Sequence, residues 1–226
     1  MFMPGSQNGS DSTKRFTCTP GNCMSGMRIA VFVLVFMMVI QLYHALFFDI
    51  NTDEFLFLSK LYAYEQGRLS ATLQTFHVHF FWWVTRLPVS EIDQIVIARI
   101  VILGLIGVML ILLYRIYRHF IGLVGALAAL IGYTSFRYVL EYGGSFRADP
   151  IAATLLVGAG YLITCRAGYF AVSIAGTCVA VATLVTIKSV FYFFPLGALL
   201  AYRIYSAHRG AEGARGWREA GICVAV

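Results

Sequence analysis

The chain has 226 residues, 59% of them hydrophobic and only 12% charged, with a mean hydropathy of +0.76. These values exclude an ordinary soluble domain, and apolar runs of about twenty residues, the length that crosses a bilayer, recur along the sequence. The net charge of +6 reads as membrane topology: no basic cluster is interleaved with aromatics on a polar surface, and nucleic acid is not an expected partner.

In chain order, residues 1–28 are polar and rich in Gly, Ser, Asn and Thr, which predicts a disordered cytoplasmic tail. The apolar run 29–48 is too long for a signal-peptide core and lacks a small-residue cleavage site, so it reads as an uncleaved first span. It leads into Asp49-Ile50-Asn51-Thr52-Asp53-Glu54. Carboxylates where a helix leaves the bilayer are costly and mark a functional site, or they simply cap the next helix. Asn51 suits an N-cap, and Glu54 at the third helical position completes a variant capping box. With Gly67 as a stop, this predicts a helix over 52–66 lying along the membrane surface. Its apolar residues exceed one stripe, so it is expected to sit among other helices.

The aromatic stretch 76–84 is too short to cross and is read as re-entrant or interfacial, with Trp82 and Trp83 at headgroup depth. Further spans are predicted at about 95–114, 121–140, 151–165, 169–187 and 189–205, and a last one begins near 220. The expected fold is all-α: a polytopic transmembrane helical bundle over 29–226, with an amphipathic juxtamembrane helix in its first outer loop. A chain ending inside an apolar run reads as the front part of something longer. The five cysteines (Cys18, Cys23, Cys165, Cys178 and Cys223) are odd in number and mostly at or inside these runs, so no disulfide framework is expected. Cys18 and Cys23 lack the further ligands that a metal site needs.

Charge then orients the spans. One side collects ten basic side chains, from Lys14 to Arg218, against Asp11, Glu212 and Glu219; the other collects seven against eight acidic ones. By the positive-inside rule the N-terminus is cytoplasmic, and the acidic loop faces the periplasm or a lumen. The membrane is the cell (inner) membrane, or the endoplasmic reticulum if the chain is eukaryotic. Asp53, Glu54, Arg99, Arg147, Asp149 and Lys188 all fall at helix ends on that outer side.

Each admits a chemical and a plain role. Asp53 and Glu54 suit a general base, a metal ligand or an acceptor from a substrate hydroxyl, or a helix cap. His77 and His79 fall on one side of an extended segment but on opposed sides of a helix, and only the first arrangement would let them share a metal. Arg147 offers a planar fork suited to phosphate; Asp149 either neutralises it or caps the span that Pro150 helps to start. Lys188 is a second cation for a phosphate, or a side chain snorkelling to the interface. His44, near the outer end of the first span, is read as a packing or hydrogen-bonding residue.

Taken in order, these features resemble the polytopic GT-C glycosyltransferases of the dolichyl-phosphate-mannose–protein mannosyltransferase and lipid A aminoarabinose transferase type. The resembling pieces are Asp53-Glu54, Gly67 followed by Phe76-His77-Val78-His79, Ala98-Arg99, Tyr142-Gly143-Gly144-Ser145-Phe146-Arg147-Ala148-Asp149-Pro150, and Ile187-Lys188 followed by Pro195. They cover about residues 29–205. The resemblance implies transfer of a sugar from a polyprenyl-phosphate carrier to a hydroxyl of a protein, glycolipid or glycan on the outer face. It implies Asp53, Glu54 and Asp149 as catalytic residues, and Arg147, Lys188 and Arg99 as phosphate contacts. His77 and His79 fall to the acceptor or to a metal, and a divalent ion between Asp53, Asp149 and a histidine is one possibility. Two features depart from the pattern: Phe80 and Phe81 follow the histidines where a proline is common, and family members continue through more spans and often a soluble outer domain. The rival functions are a transporter or lipid flippase, whose charges would line a pathway through paired repeats, and a non-catalytic membrane scaffold.

Overall fold

A computed structural model of the chain describes residues 20–69, 75–166 and 168–211. The described residues form helices and turns, without strands: α1 (Pro20–Phe47), α2 (Thr52–Glu65), α3 (His77–Phe81), α4 (Glu91–Thr134), α5 (Arg137–Tyr142), α6 (Asp149–Cys165), α7 (Tyr169–Val185) and α8 (Phe193–Ala211), with 3-10 turns at Val84–Arg86 and Ile187–Tyr192. Three segments are long and apolar enough to cross a membrane: Gly26–Phe47, Glu91–Thr134 and Ile187–Ser206. α6 and α7 are apolar too, at 17 residues each. The span expected near 220 lies outside the described residues, and so does most of the tail expected over 1–28. α1, however, begins at Pro20, so the end of that tail is helical.

α2 forms where the sequence places it. Asn51 Oδ1 accepts from Asp53 N at 3.3 Å, and Glu54 Oε2 accepts from Asn51 N at 3.0 Å, which closes the capping box. Gly67 ends the helix with φ +66°, a conformation only glycine adopts without strain. Glu54, Leu58 and Leu61, one turn apart, are its buried stripe. The interfacial stretch folds as α3 and the turn after it, and buries Val78, Phe81 and Val84.

α4 departs from expectation. Ser90 Oγ caps it by accepting from Asp93 N at 3.2 Å, and it runs past the predicted end of the second span to Gly122, whose φ +71° and ψ −175° break the helix. The expected third span over 121–140 is divided. Helix resumes after Gly122 and stops at Thr134, and the chain turns at Ser135 and Phe136 before the short α5. Thr134 and Ser135 hydroxyls bond back to the carbonyls of Leu130 and Ile131, a local competition with the helical ladder that favours an end.

α1 packs on α4, α4 on α6, and α6 on α7. The core stripe of α4 is Ile95, Ala98, Ile102, Ile106 and Met109, set against Ile151, Ala152 and Leu156 of α6 and Leu58 and Leu61 of α2. Alanines at the contacts (Ala98, Ala152, Ala159, Ala175 and Ala182) are all fully buried, and small side chains let helix backbones close together. α8 is the outlying helix. Arg203 Nη1 ties it down by donating to the carbonyls of Leu162 and Ile163 at the end of α6.

Candidate functional site: a charged cluster at the head of an apolar groove

At the end of the bundle where α1 stops and α4 and α6 begin, a buried clasp joins four segments. Glu54 accepts from Arg99 Nε at 2.8 Å and Arg99 Nη2 at 2.5 Å. Arg99 also donates from Nη1 to Ala45 O and Phe48 O, and from Nη2 to Asp49 O. All five guanidinium N–H groups are thereby engaged, three of them on the carbonyls that end α1. Glu54 takes two further bonds, from Asn51 N and, at 2.6 Å, from Phe146 N. Burial pushes the Glu54 carboxyl upward; the bonds from Arg99, Phe146 and Asn51, with the Arg99 charge, outweigh it and hold the group below the usual carboxylate range. Neither member has bonding capacity left for a ligand. The sequence assigned Glu54 to catalysis and Arg99 to phosphate; here they bind each other and the backbone.

The clasp sets its neighbours. Phe146 is buried edge-on to Phe81 at 5.0 Å, and its N–H is fixed on Glu54, so the next residue is held in place. Arg147 Nη2 meets Asp53 Oδ2 at 3.1 Å, the arginine side chain 23% exposed and the aspartate 48%. Arg147 Nη1 also reaches Tyr138 Oη at 3.5 Å. Asp53, from α2, and Arg147, from the approach to α6, thus lie side by side, whereas Asp149, the neutralising partner expected for Arg147, pairs with Lys188 instead.

Tyr138 connects this pair to a larger feature. It lines a groove of about 740 Å³ between α4, α6 and α8, walled by Met109, Leu113, Ala152, Ala153, Leu156, Val157, Leu196 and Leu199. Asp149 and Lys188 stand in the same lining, with Lys188 Nζ 3.5 Å from Asp149 Oδ1. Tyr117, Tyr133, Tyr192, Thr186 and Ser189 complete it. One apolar groove therefore carries two half-exposed ion pairs at or beside one end. The Lys188–Asp149 pair, the more open of the two, is worth less than about 1 kcal/mol, so an incoming anion can take that cation at little cost. The buried clasp is different: uncoupling one partner costs about 3–5 kcal/mol.

The histidines separate. On the short α3, His77 is buried edge-on to Phe57 at 4.9 Å, while His79 is exposed against Tyr64 at 5.0 Å. The helical geometry turns them apart and removes the shared-metal arrangement. Among the described residues, no three His, Cys, Asp or Glu side chains gather in a way that could hold a metal ion. His44 lines a separate cavity of about 200 Å³ with Asp49, Asn51, Glu141, Tyr142 and Ser145. This cavity and the groove share α5 as a wall, through Tyr142 and Tyr138, whose rings lie 5.4 Å apart.

Sequence reasoning passed over Tyr138 and Ser189, and quoted Phe146 as part of the motif around Arg147 without giving it a role. Tyr138 lay inside a presumed span, whereas Phe146 and Ser189 adjoin the cations already singled out, which was the available signal. Chemically, the arrangement offers two cations to an anionic head, an apolar channel to a long chain, and two partly exposed carboxylates, Asp53 and Asp149, beside them. No protein-family model, curated protein or solved structure matches this chain.

Proposed function

We propose that the protein is a multi-pass membrane glycosyltransferase that takes a sugar from a polyprenyl-phosphate carrier and passes it to an acceptor hydroxyl on the outer face. The observation that carries this is the apolar groove with Asp149 and Lys188 in its lining, joined through Tyr138 to the Arg147–Asp53 pair. A polyprenyl phosphate has that form, a long hydrocarbon with one charged head. In this reading α6 and α7, each about 25 Å long, also cross the bilayer. The likeness to the GT-C mannosyltransferase and aminoarabinose transferase module rests on the sequence features given above.

Phosphate is already a good leaving group, so it needs cations and not a general acid. The acceptor oxygen attacks the anomeric carbon as the bond from that carbon to the phosphate oxygen breaks. The electron pair leaves with the phosphate, where Arg147 and Lys188 stabilise the growing charge. The acceptor proton passes to Asp53, which lies beside Arg147 and is open enough to be approached. Attack opposite the leaving group inverts the sugar centre. Asp149 holds Lys188, and Glu54 with Arg99 hold the frame. A flippase is the weaker alternative, because the charges gather toward one end of the groove and do not line it throughout.

The test is transfer of label from polyprenyl-phosphate sugars in membranes containing the protein. Asp53→Asn is expected to lower transfer by at least about a hundredfold, within the range that acid–base groups contribute, while the protein still inserts. Full activity in that variant would remove Asp53 from the mechanism.

A further inference from the structure

One buried polar group in the groove has nothing among the described residues to answer it. Ser189 is 1% exposed and forms part of the groove lining, and its Oγ has no hydrogen-bond partner among the described residues. A hydroxyl left buried and unpaired costs about 1–3 kcal/mol. Its backbone does not require serine, since Ser189 N already bonds to Thr186 O at 3.1 Å. A second orphan is Nε of Arg147, two residues before Asp149, which is buried without a partner among the described residues. Asp149 in turn pairs with Lys188, the neighbour of Ser189. The amino end of α6, which begins at Asp149, has no side-chain cap among the described residues and carries the positive end of the helix dipole.

We infer that Ser189 is a further ligand-binding residue, whose hydroxyl donates to a phosphate oxygen of a long-chain phosphate lying in the groove. This rests on the donor site proposed above and adds depth to it. The Lys188 side chain is 71% exposed, whereas Ser189 is 1% exposed, so the phosphate meets the ammonium first and the Ser189 hydroxyl turns out from the wall to meet it. An uncharged donor at that depth adds a bond to the anion without placing another unpaired charge in an apolar wall.

The experiment measures binding of polyprenyl phosphate, of the matching prenol and of inorganic phosphate to the whole chain in nanodiscs, wild type against Ser189→Ala. Wild type is expected to bind polyprenyl phosphate at least about tenfold more tightly than the prenol, with inorganic phosphate weaker than both. Ser189→Ala is expected to lose about tenfold toward polyprenyl phosphate and nothing toward the prenol, in line with one hydrogen bond to a charged group. A variant that binds the phosphate as wild type does, or that weakens phosphate and prenol equally, overturns the role given to Ser189 and leaves the donor site standing. Wild type that does not distinguish polyprenyl phosphate from the prenol, or that binds inorganic phosphate as well as either, overturns both.

Discussion

Asp53 and Glu54 are adjacent carboxylates with different surroundings. Glu54 is enclosed and accepts from Arg99, Phe146 and Asn51; Asp53 is half exposed and pairs with Arg147. Glu54→Gln is therefore expected to leave Arg99 buried without its counter-charge and to destabilise the fold by about 3–5 kcal/mol, read as thermal unfolding in detergent. A variant melting with wild type would mean that the clasp contributes nothing. The same contact sets a pH dependence. Because the folded carboxyl is held below its unfolded value, its stabilisation is complete above the ordinary carboxylate range and is lost as pH falls through the lower, folded value. Wild-type stability from this group should hold at neutral pH and decline progressively in acid, starting as pH enters the ordinary carboxylate range and ending below the lowered folded value. The decline should be blunted in Glu54→Gln.

At the level of elements, the backbone at Gly122 decides where α4 breaks. A side chain would meet open space at both Gly122 and Gly132, so comparing the two isolates backbone conformation. Gly122→Ala forces a positive φ on alanine and is expected to cost about 1–2 kcal/mol. Gly132→Ala, in regular helix, is expected to gain about 0.5–1 kcal/mol. Equal melting temperatures for the two would contradict the break. These cases also mark what the sequence could tell. The start and end of α2 were legible, because Asn51, Glu54 and Gly67 act locally on the bonds of one helix end. The division of 121–140 was not, because hydropathy reports affinity for lipid and is blind to a turn made by Ser135 and Phe136 inside an apolar stretch. For the histidines, two geometries were open, and the packing of Val78 and Phe81 into the core chose the helical one. Glu54 and Arg99 were correctly marked as unusual charges, but only their mutual contact, 45 residues apart in the chain, shows that they are spent on each other.

Across the whole molecule, the clasp ties the end of α1 and the starts of α2 and α4 to the segment before α6, and so aligns Arg147 with Asp53. α8, anchored through Arg203 to the far end of α6, closes the groove with Leu196 and Leu199. The central claim is that a polyprenyl phosphate lies in this groove with its head among Arg147, Asp149 and Lys188. The most direct measurement is photo-crosslinking by a polyprenyl phosphate carrying a photoreactive group in its first isoprene units, followed by mapping of the labelled residues. Label on Leu156, Tyr192, Leu196 and Leu199, displaced by unlabelled polyprenyl phosphate and lost in Lys188→Ala with Arg147→Ala, is the predicted result. Label confined to the exposed face of α1, or unaffected by competitor, would contradict it.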